Sequence, residues 1–316
     1  MARFGLQLPN FTFGGVPDDQ LFDHVAGLAV SGEDAGFSSL WVMDHFWQLP
    51  ARGGADQPML EGYTLLGGLA ARTNRARLGT LVTGVTYRNP SLVAKTVTTL
   101  DIVSAGRAVL GIGAAWYEEE HQGLGFDFPP AGERLDRLDE ALHICRAMFT
   151  EEKPSFTGRY YRIDEARNVP RPVQAGGPPI MVGGSGERRT LRLVAQHADL
   201  CNIFGSPATV HRLLDVLAGH CGAVGRDPEE ISHTWLGTLL LTTSAAETEQ
   251  MTNLVGGGGG DVAERFLIGE PDAIVEQVGG LLDAGIDEVI VNMPFADNAL
   301  ITRAGELLVS EFSSRR

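Results

Sequence analysis

Apolar and polar positions along the chain alternate between two periodicities. Eight apolar runs with strand character recur at 3–8, 38–44, 77–83, 107–112, 179–183, 199–204, 234–242 and 287–292. Many are nearly continuous rather than alternating, as expected of parallel strands covered on both faces. Between them the spacing is helical. Residues 20–35 carry Leu21, Val25, Leu28 and Ala29 after the turn Pro17-Asp18-Asp19. Asn89-Pro90 supplies an N-cap and a first helical residue for a helix running to about Ser104. Residues 133–149 set Leu135, Leu138, Leu142, Cys145 and Phe149 on one stripe. Further helical patterns occupy 187–197, 207–220 and 271–284.

Strand and helix alternating eight times predict a (β/α)8 barrel, here a single domain over 1–316. The competing fold is a doubly wound open sheet, which normally shows G-x-G-x-x-G directly after its first strand. None occurs there, and Gly111-Ile112-Gly113 after the fourth run lacks the third glycine. Two insertions are expected, following the fourth and seventh strands. Residues 150–178 hold Phe156 to Tyr161 and then a Pro/Gly-rich run from Pro170 to Pro179, which predicts a short hairpin and an irregular loop. Residues 243–260 end in the glycines Gly256 to Gly260 and predict a long loop, either a lid or surface slack.

Composition narrows the partners. The formal charge is −15, which disfavours nucleic acid and anionic lipid and requires a local basic pocket for any anionic ligand. No run reaches about 18 apolar residues, so no membrane span is expected, and the N-terminus lacks the apolar core of a signal peptide. Cys145, Cys201 and Cys221 lie far apart without a C-x-x-C, which suits a reducing, cytoplasmic setting.

A barrel carries its active site at the carboxyl ends of its strands, so topology nominates residues. The second run ends in Trp41-Val42-Met43-Asp44-His45-Phe46-Trp47, a carboxylate and an imidazole followed by two rings. The third ends at Thr83-Gly84 and the fourth at Gly113-Ala114-Ala115-Trp116. The sixth ends at Phe204-Gly205-Ser206. The fifth runs into Gly183-Gly184-Ser185-Gly186 before a helix expected from Glu187. Free N–H groups at such a helix start suit a phosphate, with Arg188 able to reach it and Arg189 turned about 100° away. The alternative is a flexible turn with solvated arginines. The acids of Glu118-Glu119-Glu120-His121 are expected to be solvated and dipole-stabilising. His143-Ile144-Cys145 has no metal-ligand spacing, so no metal is expected.

Taken together, several stretches resemble the bacterial luciferase-like monooxygenase superfamily, particularly its branch of coenzyme F420-dependent oxidoreductases. They include Leu40 to Phe46, Leu78 to Thr83 and Tyr87-Arg88-Asn89-Pro90. Gly106-Arg107, Leu110 to Tyr117, Ile180 to Gly186 and Gly285 to Val291 extend the likeness. The resemblance implies a barrel holding the deazaflavin F420, or alternatively FMN, at the strand ends. It implies Asp44 and His45 beside the ring, with a non-prolyl cis peptide at Leu81-Val82. Thr83, Ala114, Ala115 and Trp116 would also lie around the cofactor, and Gly183, Gly184 and Ser185, with Arg188, would hold its phosphate.

The sugar-phosphate dehydrogenase members of that branch have a glutamate where this chain has Trp116, and their phosphate-binding lysines have no counterpart beside Lys95 and Lys153. Glucose 6-phosphate is therefore discounted as substrate. The implied activity is hydride transfer between F420 and a small uncharged molecule bearing a carbonyl or unsaturated bond. His45 would be the proton donor or polariser, and Asp44 would orient it or bond the ring. A two-component FMN monooxygenase and a non-catalytic flavin-binding protein are the alternatives. A homodimer is expected by the same resemblance.

Overall fold

Eight parallel strands follow one another around a closed ring in chain order. In this computed structural model, which describes residues 2–256, 262–294 and 296–312, they are β1 (Arg3–Leu8), β2 (Ser39–Val42), β3 (Arg77–Thr80), β4 (Ala108–Gly113), β5 (Ile180–Gly183), β6 (Leu200–Ile203), β7 (Ser232–Leu241) and β8 (Glu288–Asn292). Each pairs in parallel with the next, and β8 closes on β1 with Arg3 opposite Glu288 and Gln7 opposite Asn292. Their near-continuous apolar sequences follow from burial on both faces, by side chains inside and helices outside. The (β/α)8 expectation holds.

The helices are α1 (Leu21–Asp34), α2 (Gly62–Arg72), α3 (Pro90–Val103), α4 (Glu118–Leu124), α5 (Ala131–Thr150), α6 (Thr190–His197), α7 (Pro207–Val224), α8 (Ala245–Gly256), α9 (Pro271–Asp283) and α10 (Asn298–Phe312). The Asn89 side chain caps α3 by accepting from the Ser91 N–H at 3.0 Å, with Pro90 as first helical residue. Residues 156–157 and 162–163 pair as the expected short hairpin.

Two expectations need correction. Residues 187–189 form a turn and α6 starts only at Thr190, so Arg188 lies on no helix. The stretch expected as a loop over 243–260 is largely α8, followed by the strand Phe266–Gly269, which adds to the outer end of β7. Its glycines 257–260 lie outside the described residues.

Apolar packing separates into two bodies. The larger lies between strands and helices. The smaller fills the barrel with Trp41, Leu81, Val109, Met181, Leu200 and Ile290. Gly79 makes room for that plug, since a Cβ there would stand 2.7 Å from the Trp41 ring. Toward the amino ends of the strands, buried Glu288 accepts from Arg77 at 2.6 Å and pairs with Ser39, whose hydroxyl also accepts from Trp41 Nε1 at 2.7 Å. The opposite end is left open to hold a site.

Candidate active site

A cavity of about 1150 Å³ opens at the carboxyl ends of the strands. That exceeds a typical single-ligand pocket and leaves space for a cofactor and a substrate together. Leu81, Val82, Ala114, Ala115, Trp116, Gly183, Gly184 and Ser185 all line it, as does His45. The Leu81–Val82 peptide is cis, at the position the resemblance indicated.

The geometry of His45 comes from a residue the sequence reading set aside. Its Nδ1 lies 3.1 Å from Glu120 Oε2. A carboxylate only accepts, so the proton sits on Nδ1 and Nε2 stays free. Glu120 also accepts from the Phe46 N–H at 2.6 Å, the Trp47 N–H at 2.8 Å and the Tyr87 hydroxyl. Burial alone would push this carboxyl up, but the hydrogen bonds from His45, Tyr87 and Trp47 outweigh it and hold it below its usual value. Glu120 is therefore an ionised, fully buried anchor for the 45–47 turn. It was missed because a run of three acids at a helix start reads as a solvated face. The signal lay in helical spacing: Tyr117, Glu120 and His121 fall at i, i+3 and i+4, and all three are buried.

Asp44 takes neither of its expected places. It is buried but does not line the cavity, and it makes no bond to His45. Its side chain faces the start of α2, where a Cβ on Gly62 would come 3.5 Å from Oδ1, and its Oδ2 accepts from Arg88 at 2.7 Å. The reason is strand alternation: Met43 and His45 face the cavity, so the residue between them faces the helices. Oδ1 is left without a hydrogen bond. Burial raises the carboxyl to about 6 despite the guanidinium of Arg88. Arg88 also donates to Glu61 at 2.5 Å and lies over the rings of Tyr63 and Phe46.

Thr83 and Arg188 need correcting too. The Thr83 hydroxyl is buried between Tyr63 and Thr80, at 2.6 and 2.7 Å, and does not reach the cavity. Arg188 is exposed and outside the lining.

Two loops shape the rest. The chain leaves β4 through Ala115 at φ 60°, where a Cβ costs about 1–2 kcal/mol. Arg134 from α5 holds the preceding carbonyl, Ala114 O, at 3.0 Å. Trp116 stands 61% exposed at the rim, stacked on Tyr117 and edge-on to His45 at 5.6 Å. After β5 the backbone must be bare. A Cβ on Gly183 would lie 2.9 Å from Val82, and Gly184 adopts φ 128°. Among the described residues the lining contains no carboxylate and carries two arginines, Arg52 and Arg265. Arg52 donates to Asn292 at 3.2 Å, and Arg265 lies over the Phe204 ring. In a chain of net charge −15, this is the local basic pocket that an anionic ligand requires.

Residues 2–258 match the model of a family described as luciferase-like monooxygenase. The chain is 30% identical to an F420-dependent glucose-6-phosphate dehydrogenase of Intrasporangium calvum, covering 89% of this chain and 90% of that one. It is 28% identical to the enzyme so named in Kineococcus radiotolerans, over 87% and 88%. An F420-dependent secondary alcohol dehydrogenase, solved with an F420–acetone adduct, superposes with a TM-score of 0.81 at 17% identity over 97% and 98%. An EDTA monooxygenase from Chelativorans superposes at 0.83, with 14% identity over 99% and 94%. At those identities the two structural matches speak for the barrel alone.

Proposed function

Because the chain belongs to the luciferase-like monooxygenase family, we propose that it is a coenzyme F420-dependent oxidoreductase acting on a small organic substrate. The observation that carries the reading is His45, held by ionised Glu120 through Nδ1 and lining the same cavity as the bare glycine turn.

The residues present fit the deazaflavin. The turn at Gly183, Gly184 and Ser185 has backbone where side chains would block approach, which suits a phosphate. Arg52 and Arg265 on the lining, with no carboxylate beside them on it among the described residues, suit an anionic cofactor. When bound, F420 supplies the hydride acceptor or donor, and the protein supplies orientation and electrostatics. His45 moves the proton that must accompany the hydride. In alcohol oxidation Nε2 takes the hydroxyl proton; in carbonyl reduction the same atom returns it. Glu120 keeps the ring in the tautomer that does this. Trp116 forms an apolar wall over the reacting centre, which favours an uncharged substrate end bearing a carbonyl or unsaturated bond. Because this wall replaces the glutamate of the sugar-phosphate dehydrogenases, glucose 6-phosphate is not the substrate proposed. The likeness also supports a homodimer, which sedimentation tests.

His45→Ala tests the reading. Turnover, followed as loss of the oxidised deazaflavin's visible absorbance, is expected to fall about 10²–10⁴-fold with cofactor affinity little changed. Turnover within about twofold of wild type removes His45 from the chemistry.

A further inference from the structure

Outside the cavity, two helices bring three metal-ligating side chains to one point. Asp139 and His143 lie four residues apart on α5, so they share a face of that helix, and His197 ends α6. His197 Nε2 lies 2.8 Å from Asp139 Oδ1, and His143 Nε2 lies 3.8 Å from the same oxygen. The candidate ligand atoms of all three residues fall within 4.8 Å of one another. None of the three lines the cavity.

Both imidazoles are held in place. The His143 ring stacks on Phe156 at 5.9 Å and meets the His197 ring edge-on at 4.4 Å. Arg146, on the same helix as Asp139 and His143, is paired with Asp199 at 2.6 Å.

We propose that Asp139, His143 and His197 form a binding site for a borderline divalent cation, zinc in particular, that clamps α5 to α6. A tetrahedral ion with nitrogen and oxygen ligands at about 2.0–2.2 Å sets its donors about 3.3 Å apart. The observed 2.8 and 3.8 Å straddle that spacing, so each pair moves by about half an ångström on metal entry. Two nitrogens and one carboxylate select zinc, nickel or cobalt over magnesium and calcium, which prefer all-oxygen sites. His143 is 56% exposed in its side chain, so the ion enters from solvent and water fills the fourth position. The spacing along the chain hid the site because the third ligand comes from another helix.

The test is calorimetric titration of chelator-treated, full-length protein with Zn²⁺, with thermal unfolding measured in parallel. Saturable binding of one ion per chain at micromolar affinity or tighter is expected. At about a hundredfold excess over Kd the unfolding midpoint should rise by about 2–5 °C. His143→Ala, at an exposed position, should stay folded and weaken binding at least tenfold. Asp139→Asn, which keeps a hydrogen-bonding group in place, should weaken it as well. Cobalt(II) should give the visible bands of a tetrahedral site in wild type and lose them in His143→Ala. No saturable binding, binding only at millimolar zinc, or unchanged affinity in both variants overturns the proposal.

Discussion

Glu120 and Asp44 are both buried carboxylates beside the same loop, and their surroundings give them opposite titration behaviour. Glu120 collects hydrogen bonds from His45, Phe46, Trp47 and Tyr87, which hold it below the usual 4.5. A depressed carboxylate stabilises the fold above its unfolded value, and that contribution is lost as pH falls through the lower folded value. Glu120→Gln keeps the shape but removes the charge and places an NH₂ among donors. It should cost about 2–4 kcal/mol in urea unfolding at neutral pH, reduce turnover about tenfold or more, and flatten the loss of stability below pH 4.5. An unchanged kcat in a folded Glu120→Gln protein would contradict its role in positioning His45. Asp44 is the reverse case, raised from 3.8 to about 6 by burial. Its contribution is fully present below 3.8 and is lost as pH rises through about 6, a swing of about 3 kcal/mol. Asp44→Asn breaks the pair with Arg88, so absolute stability should drop, while the slope of stability against pH between 3.8 and 6 becomes less negative. Equal slopes in urea titrations of the two proteins would show that Asp44 is ionised throughout that window.

At the scale of elements, what was legible depended on whether a contact is local. The eight strands and helices α1, α3, α5, α7 and α9 announced themselves by apolar periodicity, and α3 by its Asn-Pro start. α2 is glycine-rich and α8 buries no side chain fully, so neither writes a strong stripe into the sequence. Strand ends nominated His45, Ala114, Ala115, Trp116 and the glycine turn from topology alone. The partners that set their geometry, Glu120 on α4 and Arg88 before α3, come from other strand–helix units and leave no mark at the strand ends. Arg188 failed for a local reason, since the turn after β5 runs three residues longer than expected and takes the arginine off the helix. That turn makes its own prediction. Gly184→Val forces a branched side chain onto φ 128°, with a Cβ 3.3 Å from Thr190 Cγ2. Deazaflavin affinity should fall at least tenfold in fluorescence titration while circular dichroism keeps the barrel signature. Unchanged affinity would place the phosphate elsewhere.

The whole molecule sets a net charge of −15 against a cavity whose charged lining residues, among those described, are the arginines Arg52 and Arg265. Its barrel is sealed at one end by Trp41 and the Glu288 network and open at the other, where the large cavity lies. One barrel architecture hosts many unrelated chemistries, so architecture alone does not choose the cofactor. The choice rests on sequence likeness to F420-dependent dehydrogenases across most of the chain and on a lining suited to an anionic ligand. The direct test is titration of the purified protein with F420 and, separately, with FMN, following cofactor and tryptophan fluorescence. The account predicts saturable binding of one F420 per chain, with FMN bound at least tenfold more weakly. Tight FMN binding with none of the deazaflavin would contradict it.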